Sequence, residues 1–255
     1  MNLYEAGALV MPNTGIDQHE TVLEVAQREE IAVLVNRPLN AMPTNKSGVV
    51  RLADFPLQGS PVDFDCQCRT VAALEEEYRK AIAPALQHSG QGMAPADFFT
   101  WATDLTRMRP QIQGLEHWEQ IEVQMIAPHM NQVMQALSQH LTGTAAEQWE
   151  AWRKRYVPQL LTLLGGLRRE ATERSRARTA SVSAILDPLL PIARCKESLS
   201  RKALWVLAST PGVTCVLNGM RSPAYADDSL AVMGWEPLTG VKQVFEGMAQ
   251  DRGKG

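Results

Sequence analysis

The chain has 255 residues, enough for one large domain or two small ones, and carries a formal net charge of −3. This charge balance gives no sign of a nucleic-acid partner, and four cysteines are too few for a disulfide framework. The N-terminus lacks a signal peptide, and no window approaches about 18 uninterrupted apolar residues, so we expect a cytoplasmic protein without a membrane span.

The first 40 residues predict a strand, a helix and a second strand. A short apolar stretch over residues 1–10 is followed by Asp17-Gln-His-Glu20, which has the form of a capping box. The helix that this box opens is expected to end near Glu30. Ile31-Ala-Val-Leu-Val35 is an uninterrupted apolar run that ends before Pro38, since proline cannot continue a central strand. This order is typical of the βαβ unit of a parallel sheet.

A long loop and a helical block come next. Residues 40–61 are rich in Pro, Asn, Ser and Gly, whereas residues 69–196 show helical periodicity and predict four or five helices in an antiparallel bundle. Thr144-Ala-Ala-Glu147 is a capping box that opens a long helix, in which Pro158 and Gly165-Gly166 are candidate break points. The histidines of this block lack the spacing of a metal site, so we expect no bound metal.

After residue 198 the pattern returns to alternating helix and strand. The apolar run Val213-Thr-Cys-Val-Leu217 predicts a buried strand that ends before Gly219, and Ser222-Pro223 has the form of an N-cap followed by proline at the first helical position. The helix is expected to run through Leu230. A strand, a turn and a capped helix direct backbone amides toward one spot, where an anion could bind beside Arg221. The alternative is a turn that only connects the two elements.

Three stretches of this sequence resemble aldo-keto reductases. Ile31-Ala-Val-Leu-Val-Asn-Arg-Pro-Leu-Asn40 is similar to the seventh strand and following loop of that family. The segment from Lys202 to Leu230, with Gly-Met-Arg-Ser-Pro after its strand, looks like the eighth strand and its helix. Asn2-Leu-Tyr-Glu5 looks like the end of the sixth strand. The resemblance covers residues 1–45 and 198–233.

The resemblance implies an α/β fold, a (β/α) TIM barrel, and hydride transfer between NADPH and a carbonyl substrate. We therefore expect a partial barrel comprising strands six to eight with a large all-α insertion. The expected domains are residues 1–58 (sixth strand, helix, seventh strand and loop), 59–197 (helical insertion) and 198–255 (helix, eighth strand and C-terminal helices).

The resemblance also implies which residues hold the NADP cofactor. The loop after the seventh strand would line the pyrophosphate, and the turn and helix after the eighth would hold the 2′-phosphate, the ribose and the adenine. These residues are Arg37, Pro38, Leu39, Asn40, Gly219, Met220, Arg221, Ser222, Tyr225, Asp228 and Ser229.

The family's catalytic set of aspartate, tyrosine, lysine and histidine comes from earlier strands and has no counterpart here. In addition, three parallel strands alone leave two open apolar edges. We therefore expect the C-terminal, cofactor-binding portion of an NADP-dependent reductase, which is not active alone. Its missing N-terminal barrel half would lie in the same longer chain or in a partner chain. The alternative is a non-catalytic helical interaction module, motivated by Trp101, Trp118, Trp149 and Trp152.

Overall fold

A computed structural model describes residues 1–4, 6, 10, 20–41, 50–57, 59–86, 93–220 and 222–252 of the chain. Four short strands lie in this part, and we label them in chain order: β1 (Leu34–Val35), β2 (Asn40–Ala41), β3 (Val50–Arg51) and β4 (Cys215–Val216). The α-helices of the same part are α1 (Val22–Arg28), α2 (Phe64–Ala81), α3 (Trp101–Met108), α4 (Leu115–Ile121), α5 (Ala127–His140), α6 (Gly143–Leu186), α7 (Leu199–Ala208), α8 (Pro223–Leu230) and α9 (Val241–Arg252).

The structure is mostly helical, and the expected partial TIM barrel is wrong. Helix accounts for 68% and strand for 3% of the described residues. The apolar runs at 31–35 and 213–217 each contribute a strand of only two residues, and no strand is described at residues 1–4. Because a barrel requires a closed ring of paired strands, two short pairs cannot supply one. Most of the buried apolar side chains belong to helices instead.

The chain folds into two compact units. The first unit comprises Met1–Phe55 and Ser175–Gly255, and the second comprises Pro56–Arg174. For comparison, the domain limits predicted from the sequence fall at residues 58 and 197. Each unit has its own hydrophobic core.

The first unit is built around two parallel strands. β1 pairs with β4 in parallel, with Leu34 opposite Cys215 and Val35 opposite Val216. Val35 faces a core formed with residues of α7, α9 and the last turns of α6, including Leu186, Val206 and Phe245. β2 and β3 form a separate antiparallel pair. Helices that cover only one face of β1 and β4 leave Leu34 60% exposed.

Helix α1 begins later than the sequence predicts. Its N-cap is Thr21, whose side chain accepts a hydrogen bond from the backbone of Glu24 and whose backbone donates to the Glu24 carboxylate. The box at Asp17–Glu20 is therefore not the one that opens this helix, and residues 11–19 lie outside the described residues. Both tetrapeptides match the capping-box pattern, and the sequence alone does not rank them.

Helix α6 is continuous past both of its candidate break points. It runs from Gly143 to Leu186 and includes Pro158 as well as Gly165 and Gly166. An interior proline has no N–H and so leaves the carbonyl of Lys154, four residues earlier, without its usual backbone donor. Tertiary packing of the neighbouring turns therefore outweighs the local cost of these residues.

Aromatic side chains fill the core of the second unit. Trp149, Trp152 and Tyr156 stack along α6, with ring centroids 5.4 and 4.4 Å apart. Tyr78 and Phe99 pack against this stack from α2 and from the segment before α3. All four tryptophans that motivated the interaction-module hypothesis are at most 8% exposed. They stabilise this core and do not form an exposed binding face.

One carboxylate lies inside this aromatic core. Glu75 of α2 is 4% exposed, and its carboxylate accepts hydrogen bonds from the Tyr156 hydroxyl at 2.9 Å and the Ala102 amide at 3.3 Å. Ala102 lies in the first turn of α3, whose N-cap Thr100 makes no side-chain cap. Glu75 thus caps α3 from a neighbouring helix. Burial raises the pKa of the Glu75 carboxyl, although both hydrogen bonds act in the opposite direction.

We predict that the free energy of unfolding falls as pH rises in the wild-type protein, and that Glu75→Gln removes this fall. Because the folded pKa of Glu75 lies above the value of about 4.3 in an unfolded chain, the folded state holds the proton more tightly. The free energy of unfolding is then highest below the unfolded pKa and falls as pH rises through the folded one. A difference of one between the folded and unfolded pKa values corresponds to a fall of about 1.4 kcal/mol. Thermal unfolding of wild type and of Glu75→Gln at several pH values between 4 and 8 measures this fall in stability.

Glu77→Gln is the matched control for this measurement. Glu77 lies two residues further along α2 and pairs with Arg155, which lowers the pKa of its carboxyl. Removing this charge should cost stability as pH rises, the opposite sign to Glu75→Gln. Parallel pH profiles for wild type and Glu75→Gln would contradict the prediction.

Candidate functional site

The two segments expected to bind the cofactor lie at the same edge of the first unit. In a parallel pair both carboxyl ends point the same way, and the Leu217 amide donates to the Val35 carbonyl at 2.8 Å. Asn36 therefore lies opposite Leu217, at a strand separation of about 4.8 Å, and Asn218 follows one residue further along. Ligands of open α/β sheets bind outside the carboxyl ends of such strands. We call this edge, formed by residues 36–40, 218–220 and 222–225, the strand-end corner.

The bend after β1 is held by backbone contacts. Arg37 has a left-handed φ of 55°, and its amide donates to the side chain of Asn36 at 2.8 Å. The Asn40 amide donates to the Arg37 carbonyl, which closes the bend. Pro38 is buried, and Leu39 packs against the core of the unit. Pro38 and Leu39 thus anchor the bend, whereas the guanidinium of Arg37 is exposed and has no acidic partner among the described residues.

Asn2 supports the same bend from the start of the chain. It is 1% exposed, its side-chain amide donates to the Asn40 carbonyl at 3.1 Å, and its side-chain oxygen accepts from the Tyr4 amide at 2.9 Å. A buried asparagine with both ends paired holds one orientation. The sequence interpretation placed Asn2 at a strand end, and nothing in its neighbours indicates this role.

The turn after β4 is open. Gly219 and Met220 are exposed, and a Cβ added at Gly219 would have no atom within 4 Å. Arg221, the predicted phosphate ligand, lies outside the described residues. Ser222 is the N-cap of α8 and Pro223 its first residue, as the sequence predicts. The hydrogen bonds of this cap lie within α8 and its N-cap: the amides of Tyr225 and Ala226 donate to Ser222.

The three predicted adenine-side residues on α8 differ in their environment. Tyr225 is 53% exposed and lies in the first turn, beside the opening. Ser229 is 8% exposed, and its hydroxyl accepts from Asn218 and donates to the Tyr225 carbonyl, both at 2.7 Å. Asp228 is half-buried and contacts the start of α7. Only Tyr225 of the three is free to face a ligand.

An exposed apolar surface adjoins the corner. Leu34 and Cys215 lie opposite each other on the uncovered face of the strand pair, and Leu217 follows on the same face. Met220 adds a further half-exposed apolar side chain. Parallel strands are normally covered on both faces, so this surface is suited to further packing.

Two of the described tyrosines, Tyr78 and Tyr156, are not suited to proton donation. Tyr78 and Tyr156 belong to the second unit, and burial raises the pKa of both phenols far above the ordinary value. Efficient general acids have a pKa near the working pH. Tyr225 lies at the corner, but its predicted role is beside the adenine.

The second unit contains a separate open cleft of about 630 Å³ between α2 and α3. Its lining includes Asp65, Cys68, Arg69 and Arg107, and the Cys68 thiol donates to the Ala102 carbonyl at 3.3 Å. Arg107 is paired with Asp104. Within the described ranges, no three His, Cys, Asp or Glu side chains are placed to hold a metal ion.

No protein-family model, no curated protein and no solved structure matches this chain. Among the helices that the structure describes, none combines the length and the apolar character needed to cross a bilayer.

We predict that alanine is tolerated at Gly219 but not at Gly212, seven residues earlier. Gly212 has a φ of +84°, and an added Cβ would lie 2.9 Å from the Leu23 carbonyl oxygen. Gly212→Ala should therefore lower the free energy of unfolding by about 1–3 kcal/mol. Gly219→Ala should change it by less than about 0.5 kcal/mol. Calorimetric unfolding of both variants measures this difference, and equal losses would contradict the open turn.

Proposed function

We propose that this chain is the cofactor-binding portion of an NADP-dependent, aldo-keto-reductase-like oxidoreductase that acts on a carbonyl or alcohol substrate. The strand-end corner would hold the cofactor. The observation that carries the proposal is the parallel register of β1 with β4. It joins the two segments in which the resemblance to the family is concentrated, although they are 181 positions apart at Val33 and Thr214.

The charges at the corner support an anionic ligand. Arg37 presents an exposed guanidinium at the end of β1, and Arg221 follows β4 two residues after Gly219. Guanidinium groups bind phosphates through paired hydrogen bonds, and the positive end of α8 adds to their effect. The acidic group of Asp228 is compensated by Arg201 at 2.8 Å. The corner is therefore suited to a phosphate-bearing molecule.

The shape of the corner supports a nucleotide in particular. Gly219 leaves room for a ligand to approach the backbone, and the side chains of Met220 and Tyr225 are exposed apolar groups of the same corner. Nucleobases pack against exposed apolar and aromatic side chains, whereas a free phosphate ion has no apolar surface to bury there.

We propose that the catalytic acid comes from elsewhere, either from the same longer chain or from a partner chain. β1 and β4 are the only strands in their described sheet, and their exposed face carries Leu34, Cys215 and Leu217 without a charged side chain. Open strand edges pair readily with additional strands, and an uncovered apolar face packs against further structure. The four cysteines form no disulfide bonds, as is typical of proteins that function in the reducing cytoplasm.

Titration of the 255-residue chain with NADPH, followed by its fluorescence, tests the proposal. We expect measurable binding, weakened about tenfold or more by Arg221→Ala and by Arg37→Ala because each removes a charge-assisted contact. Arg69→Ala, on the exposed surface of the second unit, should have no effect. Absence of binding up to about 1 mM NADPH would overturn the proposal.

A steric variant tests the place of binding without changing charge. Gly219→Val fills the space that the ligand would occupy and should abolish binding while leaving the unfolding temperature unchanged. Gly234→Val is the matched control, since a Cβ at Gly234 also has no atom within 4 Å. Equal effects of the two substitutions on NADPH affinity would place the ligand elsewhere.

A further inference from the structure

Two side-chain contacts fix α8 relative to its surroundings within the first unit. The first joins Asn218, two residues after β4, to Ser229 in the second turn of α8, at 2.7 Å. The Ser229 hydroxyl also donates to the Tyr225 carbonyl, so its only proton is already used. Ser229 is also buried, and its hydroxyl could donate to a ligand only by releasing the Tyr225 carbonyl.

The second contact joins Asp228 to the N-terminus of α7. Its carboxylate accepts hydrogen bonds from the hydroxyls of Ser198 and Ser200 and lies 2.8 Å from Nε of Arg201. Ser198 is the N-cap of α7, and its side chain also accepts from the Arg201 amide. Asp228 is thus surrounded by donors of its own chain, and both carboxylate oxygens have partners.

We infer that Asn218, Asp228 and Ser229 are positioning residues of the strand-end corner and do not contact the ligand. This inference rests on the proposed function and changes its details, since the family resemblance implies ligand contacts for Asp228 and Ser229. The two tethers hold α8 against β4 and α7, which keeps the first turn of α8 and Tyr225 beside the opening. The corner is then formed before a ligand arrives, and binding avoids the entropy cost of ordering it.

Hydrogen exchange of the ligand-free chain tests the tethers directly. We expect Asn218→Ala and Asp228→Asn to raise the exchange rates of the α8 amides about tenfold, because each loses a contact that opposes local opening. Asp227→Asn is the matched control, since Asp227 is exposed on the same helix and the variant changes the same charge. Unchanged α8 protection in both tether variants would overturn the inference.

Ligand affinity separates positioning from direct contact. Because Asn218 and Ser229 form one tether, Asn218→Ala and Ser229→Ala should each weaken NADPH binding about three- to tenfold, and the double variant should be no weaker than either single one. Weaker binding by Ser229→Ala with unchanged exchange of α8 would indicate a ligand contact and overturn the inference. If wild type fails to bind NADPH, the proposed function fails, while the exchange experiment still decides whether the tethers hold α8.

Discussion

The hydrogen bonds between residues 33–35 and 214–217 are the contacts on which the organisation of the first unit depends. They bring together two chain segments separated by the whole helical block, and closing so long a loop has an entropy cost. A pair of two-residue strands cannot offset that cost alone. The offset comes from the apolar core around the pair, in which Val35 packs with side chains of α6, α7 and α9. Strand pairing sets the register, and helix packing supplies most of the stability.

This division explains why one unit can combine a rigid interior with an open corner. Core side chains such as Val206 and Phe245 fix one face of the strand pair, while the opposite face and the strand ends stay accessible. Polar groups then determine the detailed shape of the corner: Asn2 holds the bend after β1, and Asn218 holds the helix after β4. Paired polar side chains specify geometry more sharply than apolar packing, since unpaired buried donors are costly.

The second unit applies the same principle to a purely helical core. Its stacked aromatic rings stabilise the core without fixing one orientation of the helices. The Glu75 carboxylate of α2 fixes it through directional hydrogen bonds to α3 and α6. Burial of this carboxylate has a desolvation cost that its hydrogen bonds and the charge of Arg79 offset only in part. Burial of Glu75 therefore lowers stability at neutral pH, while its hydrogen bond to Ala102 fixes the position of α3.

Local signals were predictable from the sequence, whereas the architecture was not. The N-cap at Ser222 with Pro223 follows from backbone chemistry and is confirmed. The apolar runs around β1 and β4 do form strands, but their shortness was not predicted, because an apolar run does not reveal how far pairing extends. The expected burial of the second strand is wrong, since Cys215 is exposed. The barrel was wrong since it extrapolated from these runs. The tether from Asn218 to Ser229 and the burial of Glu75 depend on contacts between distant segments, and no local pattern marks them.

The register of the strand pair is the central claim, and a cross-link measures it. Residues opposite each other in adjacent strands have Cα atoms about 4.8 Å apart, within the range that a disulfide spans. Leu34→Cys should therefore form a disulfide with Cys215 on mild oxidation, identified by peptide mass spectrometry, while Ala32→Cys should not. A bond from position 32 to Cys215, or none from position 34, would contradict the parallel register on which the proposed cofactor site depends.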